Sequence, residues 1–251
     1  MDVSAYQAAQ GPHLVPPHPP QTTSTLKPRA VPTNRGMAWI KSSWQLFKLS
    51  PWSMIALTVI CGIIMALSNL VLLASVFITP FLMAGFVLAV AKLEQGGELE
   101  IKQLFSCLKT HPMPLLILGA IVFVATLVSA LVIVIGSAIA LSAMESKTLL
   151  LLVISSVVLG IGAMMLLLSL LSIAHAPCLV VLGNQQPKQA LSLAIKAMLI
   201  NWKPMTLYGL ALTALYLLAL IPAGLGLIVL WPVTIVSAYT SYQDIFTGED
   251  C

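Results

Sequence analysis

Few residues in this 251-residue chain could carry chemistry, and they are scattered. His175 precedes Pro177 in an apolar run, His111 stands alone beside Pro112, and Glu94, Glu98 and Glu100 flank Gly96-Gly97. A membrane enzyme needs a nucleophile, an acid and a base near one another, commonly with a metal or a charged clamp. These spacings supply no such set, and the sequence contains no glycine-rich phosphate cradle. The three acids read as a solvated helix start, since Glu favours the first turn. His175 admits two readings. One is a pH-sensitive gate, because imidazole titrates near neutrality. The other, which is favoured, is an imidazole at headgroup level or bonded to a carbonyl freed by proline. Cys61, Cys107, Cys178 and Cys251 lack pairing or metal-ligand spacing and read as free thiols; Cys251 also lacks the residues that follow a prenylated cysteine. No catalytic residue, cofactor or metal site is expected, and the chain reads as a non-enzyme.

The elements around these residues are set by composition. The chain is 59% hydrophobic and 8% charged, against about 25% charged in a soluble domain. That excludes an ordinary soluble globule and makes a bilayer the natural solvent. Asp, Glu, Lys, Arg and His are missing from Pro51 to Ala91, Pro114 to Met144, Thr148 to Ala174 and Pro204 to Gln243. A crossing takes about 20 apolar residues, so the first and last stretches hold two crossings each and the middle ones hold one each. Runs such as 149–154 and 164–168 are apolar on every side, which excludes the alternation of a barrel strand. The expected fold is all-α, a polytopic bundle of six transmembrane helices at 52–68, 70–92, 114–136, 149–175, 205–221 and 224–243. The tight turns fall at Ser68-Asn69 and at 221–224.

Of the 12 Lys and Arg residues, all but Lys147 fall before helix 1, between helices 2 and 3, or between helices 4 and 5. The positive-inside rule then puts both termini in the cytoplasm. Spread over three connections, these charges form no nucleic-acid stripe. Residues 1–35, rich in proline, read as a disordered cytoplasmic tail whose deletion through residue 33 leaves stability unchanged. The tail has no signal-peptide pattern, and its Pro pairs could dock in an aromatic groove. The transmembrane domain is 36–246, and 247–251 is a short cytoplasmic tail.

A repeat runs through the chain. The segments 39–51, 101–112 and 190–204 are each short, amphipathic and closed by proline. They read as interfacial helices before helices 1, 3 and 5, with Ile40, Trp44 and Phe47 on one face and Lys41 and Lys48 reaching phosphates. Trp39, Trp44 and Trp202 are the expected interfacial anchors. A second proline follows in each even-numbered span: Pro80 and Pro232 at nearly equal distances after Pro51 and Pro204, and Pro177 farther after Pro114. Pro80, Pro177 and Pro232 are candidate kinks, of the kind that a bundle tolerates or that frames a cavity. Whether helix 4 runs through Pro177 is open at this stage.

The Tyr6-Gln7-Ala8 start, the Arg35-Gly36-Met37-Ala38-Trp39 entry, Ala197 followed by Asn201, Trp202 and Pro204, and the 232–246 ending resemble an uncharacterised family of integral inner-membrane proteins of Gram-negative bacteria. The likeness covers nearly everything after residue 35. It is more distantly similar to the membrane domain attached to some glycerophosphodiester phosphodiesterases. The resemblance implies an inner-membrane location and this architecture and carries over no functional residues. Where the family often has Arg before the final Asp, this chain has Gln243, so no fixed Arg–Asp pair is carried over there. The spans hold no ionisable residue near their middle, as an ion-coupled pump would, while Ser129, Ser155, Ser169, Gly160 and Gly162 suit close helix packing. The expectation is a binding or scaffold component of the cell envelope whose partners are membrane lipids and either another membrane protein or itself. The alternative is a carrier for a lipid or neutral hydrophobic molecule.

Overall fold

A computed structural model describes residues 26–70, 74–221 and 223–248, and all regular structure among them is helical. The chain runs as three successive units. The first is α1 (Arg35–Leu49), α2 (Pro51–Ser68) and α3 (Ala74–Glu94). The second is α4 (Ile101–Leu104), α5 (Cys107–Thr110), α6 (Pro112–Ser146) and α7 (Leu149–Val181). The third is α8 (Pro187–Ile200), α9 (Trp202–Leu220) and α10 (Gly226–Tyr242), continued by a π-helical turn, Gln243–Thr247. Proline opens α2, α6 and α8, where its missing N–H has no helical partner to lose.

Five helices, α2, α3, α6, α7 and α9, are long and apolar enough to cross a membrane; α10, with 17 residues, is the shortest of the six long helices. Helices α6 and α7, with 35 and 33 residues, overrun the expected 114–136 and 149–175. The serines beyond residue 136 do not break α6, because their hydroxyls bond back to carbonyls one turn earlier: Ser142 to Ala138 at 3.1 Å and Ser146 to Ser142 at 2.8 Å. The reversal is confined to Lys147-Thr148, with Lys147 left-handed at φ 51. Helix α7 continues through Pro177.

The units close into a ring. Helices α3, α7 and α10, the last of each unit, touch one another pairwise at the centre. Each carries one of Pro80, Pro177 and Pro232 as a buried residue within the helix. Each short segment packs on the last helix of the preceding unit: α4 on α3, α8 on α7, and α1 on α10, so the third unit closes on the first. Two glycines permit close approaches within this ring, one to α4 and one to α9. A Cβ on Gly85 of α3 would lie 2.1 Å from the Leu104 carbonyl oxygen of α4, and one on Gly36 of α1 would lie 2.4 Å from the Pro204 carbonyl oxygen of α9.

The α6–α7 hairpin has its own seam. Ser129, Gly136 and Ala143 on α6, and Ser155, Gly162 and Ser169 on α7, are buried. Both sets step by seven residues, the period that keeps a left-handed pair in register. Small side chains there bring the backbones close and turn the large aliphatic residues outward, as Leu131, Val134, Leu141 and Val157 are.

Candidate functional site

The polar groups converge on the C-terminal end of α10, where every residue from Val236 to Phe246 is buried. With about 100° between successive residues, this segment presents different polar groups to each neighbour. Thr240 and Asp244 face α1, Tyr239 and Gln243 face the end of α3, Ser241 faces α7, and Ser237 faces α9.

The α1 side holds the buried charge. The Asp244 side chain is 0% exposed. Its Oδ2 accepts from Arg35 Nε and from Trp39 Nε1, both at 2.7 Å, and its Oδ1 accepts from Arg29 Nη2 at 2.7 Å. Ser43 completes this face, with its hydroxyl 3.1 Å from that of Thr240. Burial by itself raises the Asp244 carboxyl. The Arg35, Trp39 and Arg29 donors outweigh that, and the net result lies below the ordinary carboxylate value.

Arg29 belongs to a strap, residues 26–34, laid across the end of the bundle. Its backbone N–H donates to the Ile245 carbonyl at 3.0 Å and its Nε to the Asp244 carbonyl at 2.5 Å. Buried Asn201, between α8 and α9, holds the other edge: its Nδ2 donates to the Arg29 carbonyl at 2.9 Å and its Oδ1 accepts from Val31 N–H at 2.8 Å. Leu26 and Val31 pack against the core. The tail expected to be disordered through residue 35 is corrected here, because residues 26–34 are tied by charge and by backbone; residues 1–25, with the Pro pairs, lie outside the described residues. The expected harmless deletion through residue 33 is revised as well. Removing residues 1–33 is expected to cost about 1.5–3 kcal/mol, the range for hydrogen bonds to a charged group, relative to a chain lacking only residues 1–25. Thermal unfolding of the two truncations in one detergent measures the difference.

The same linkage fixes a pH response. Asp244 has a lowered folded value, so the stability it contributes is fully present above its unfolded value of about 3.8 and is lost as pH falls through the lower folded value. Unfolding midpoints taken from pH 7 down to 3 are expected to fall less in an Asp244→Asn variant than in the parent.

On the α3 side, Glu94 Oε2 accepts from Tyr239 Oη at 2.6 Å and from Gln243 Nε2 at 2.7 Å. Glu94 therefore closes the end of α3, which corrects its expected place in a solvated helix start. Glu100 does cap a helix, with a capping box onto Gln103 and ion pairs to Lys92 and Lys102. On the α7 side, His175 Nε2 lies 2.9 Å from the Ser241 hydroxyl. It is buried between two central helices, and Ser241, in place of a kink-freed carbonyl, is its bonded partner. On the α9 side, the Tyr208 and Ser237 hydroxyls bond each other.

Of the three expected tryptophan anchors, Trp39 is overturned. It is 0% exposed, with its ring edge-on to Tyr208 and its N–H spent on Asp244. The buried stripe of α1 is Gly36, Trp39, Ser43 and Leu46, with Phe47 beside it, and not the Ile40–Trp44–Phe47 face. Trp44 and Trp202 are exposed at 44% and 60%. Asp244, Arg29, Arg35 and Asn201 were missed by sequence reasoning. Free thiols are found at Cys61, Cys107 and Cys178, all buried; burial pushes the Cys107 thiol up. Among the described residues no group of three His, Cys, Asp or Glu could hold a metal.

Toward the opposite end, Tyr216 and Leu220 of α9 and Leu227 and Trp231 of α10 line an apolar groove of about 420 Å³. Comparison with protein-family models, curated proteins and solved structures finds no match to this chain.

Proposed function

We propose that the chain is a six-span protein of the bacterial inner membrane with both termini in the cytoplasm, acting as a non-enzymatic binding or scaffold component of the envelope. The observation that carries this reading is the use made of the interior polar groups. Asp244, Glu94 and His175 each tie the last helix to a different neighbour, and Asp244 also fixes the strap. Such an arrangement presents one rigid surface. The sixth span is α10, next in length to α2 and α9, and the basic residues gather at the strap end as the positive-inside rule requires of a cytoplasmic face. The short helices enter the headgroup layer by their exposed edges, with Trp44 and Trp202 as anchors.

The groove at Tyr216 and Trp231 favours a second reading, a carrier of a lipid or neutral hydrophobic molecule, because it opens between two spans and is walled by apolar side chains. Native mass spectrometry of protein extracted from its own membranes with minimal delipidation separates the two. A protein partner retained at fixed stoichiometry supports the scaffold. A bound molecule lost on Trp231→Ala supports the carrier, and neither result supports an enzyme.

A further inference from the structure

Each of the three units exposes an aromatic residue and a lysine together where its short helix meets its first long helix. Trp52, 82% exposed, follows Lys48; exposed Phe105, in the turn between α4 and α5, precedes exposed Lys109; Trp202 carries Lys203 Nζ 5.6 Å from its ring centroid. Three acids at this end are engaged, Asp244 by Arg29 and Arg35, Glu100 by Lys92 and Lys102, and Glu94 by Tyr239 and Gln243, and exposed Glu98 makes no ion pair among the described residues. Lys48, Lys109 and Lys203 likewise make no ion pair among the described residues. Three cations stand at the rim of an apolar bundle with no carboxylate partner among the described residues.

The geometry points to these three junctions as binding sites for anionic phospholipid headgroups, a reading that rests on the membrane placement proposed above. The lysine ammonium meets the phosphate, the aromatic ring sits at the glycerol and ester level, and exposed aliphatic residues at the start of the long helix, such as Met113, take the acyl chains. A zwitterionic lipid brings its own ammonium and neutralises the phosphate from within, so the unmatched lysines select a lipid with net negative charge. The three-unit ring makes the sites quasi-equivalent, and the expected stoichiometry is one lipid per junction.

The test uses the full chain reconstituted in bilayer discs of equal phosphatidylglycerol and phosphatidylethanolamine, re-extracted in mild detergent, with retained lipid counted per chain by mass spectrometry. The parent is expected to hold phosphatidylglycerol in severalfold excess, and Lys48→Gln, Lys109→Gln and Lys203→Gln to weaken retention about fivefold each, with the melting temperature unchanged. Equal retention of the two lipids, no loss in the triple variant, or lysine-dependent pairing of two copies in place of lipid retention overturns the assignment. Cysteines introduced at Ser50, Thr110 and Lys188 and labelled from either side of the membrane keep the two readings apart. Labelling from opposite sides sinks the membrane placement, while one-sided labelling without lipid selection sinks only the headgroup sites.

Discussion

Replacing Asp244 with Ala is expected to destabilise the protein by about 3–5 kcal/mol, the cost of removing one partner from a buried ion pair. Arg35 Nε, on a side chain 18% exposed, and the wholly buried Trp39 N–H would both lose this acceptor, and Arg29 would hold the strap through backbone carbonyls without the carboxylate. Arg29, at 41% exposure, recovers water and contributes least. Unfolding followed by circular dichroism in a fixed detergent reads the loss; a variant within about 1 kcal/mol of the parent would show that Asp244 is not the closing contact. Asp244→Asn keeps the shape and one acceptor oxygen, so it should lose less. Pairing Asp244→Leu with Arg35→Met should recover part of the loss, since an apolar pair leaves no buried charge behind.

The second large effect is steric. Gly85→Val should cost about 3 kcal/mol, the upper part of the range for overpacking. The new Cβ would meet Leu104 backbone atoms at 2.1, 2.7 and 2.8 Å, and backbone cannot rotate away. Helix α4 would have to lift from α3, carrying the Glu100 capping box with it. Gly62→Val is the matched control, because Gly62 also lies within a long helix but has no neighbour within 4 Å of a Cβ. Equal losses at the two sites would point to helix propensity as the cause in place of the α3–α4 contact.

The long helices were legible because charge is excluded from them, and a charge-free stretch reads the same whatever packs beside it. The repeat was legible for a related reason, since proline marks each entry. The buried stripe of α1 was not. Gly36, Trp39, Ser43 and Leu46 follow helical spacing, but Gly and Ser carry no hydrophobic signal, so the more apolar Ile40–Trp44–Phe47 face stood out. The stripe is buried because a small residue lets another helix approach. Asp244 was hidden differently: its partners lie 209 and 215 residues away, and attention to its neighbour Gln243 looked for the pair in the wrong place. Asn201 was visible within a motif, yet its use, holding an extended strap by both edges of the backbone, depends on the fold. The end of α6 was misjudged because serine, polar by composition, satisfies its hydroxyl within the helix, and α7 runs past its expected end because Pro177 does not break it.

The closure of α1 on α10 has a consequence for biogenesis. Ribosomes add about 5–20 residues per second, and Arg35 precedes Asp244 by 209 residues, so α1 waits about 10–40 s for its seat to be synthesised. During that interval Trp39, Arg29 and Arg35 wait without Asp244, while units one and two can already pack through α3 and α7. A nascent chain arrested before Gly226 would hold its first helix displaced, and proteolytic sensitivity around residues 26–34 would then report whether synthesis of the last helix had finished.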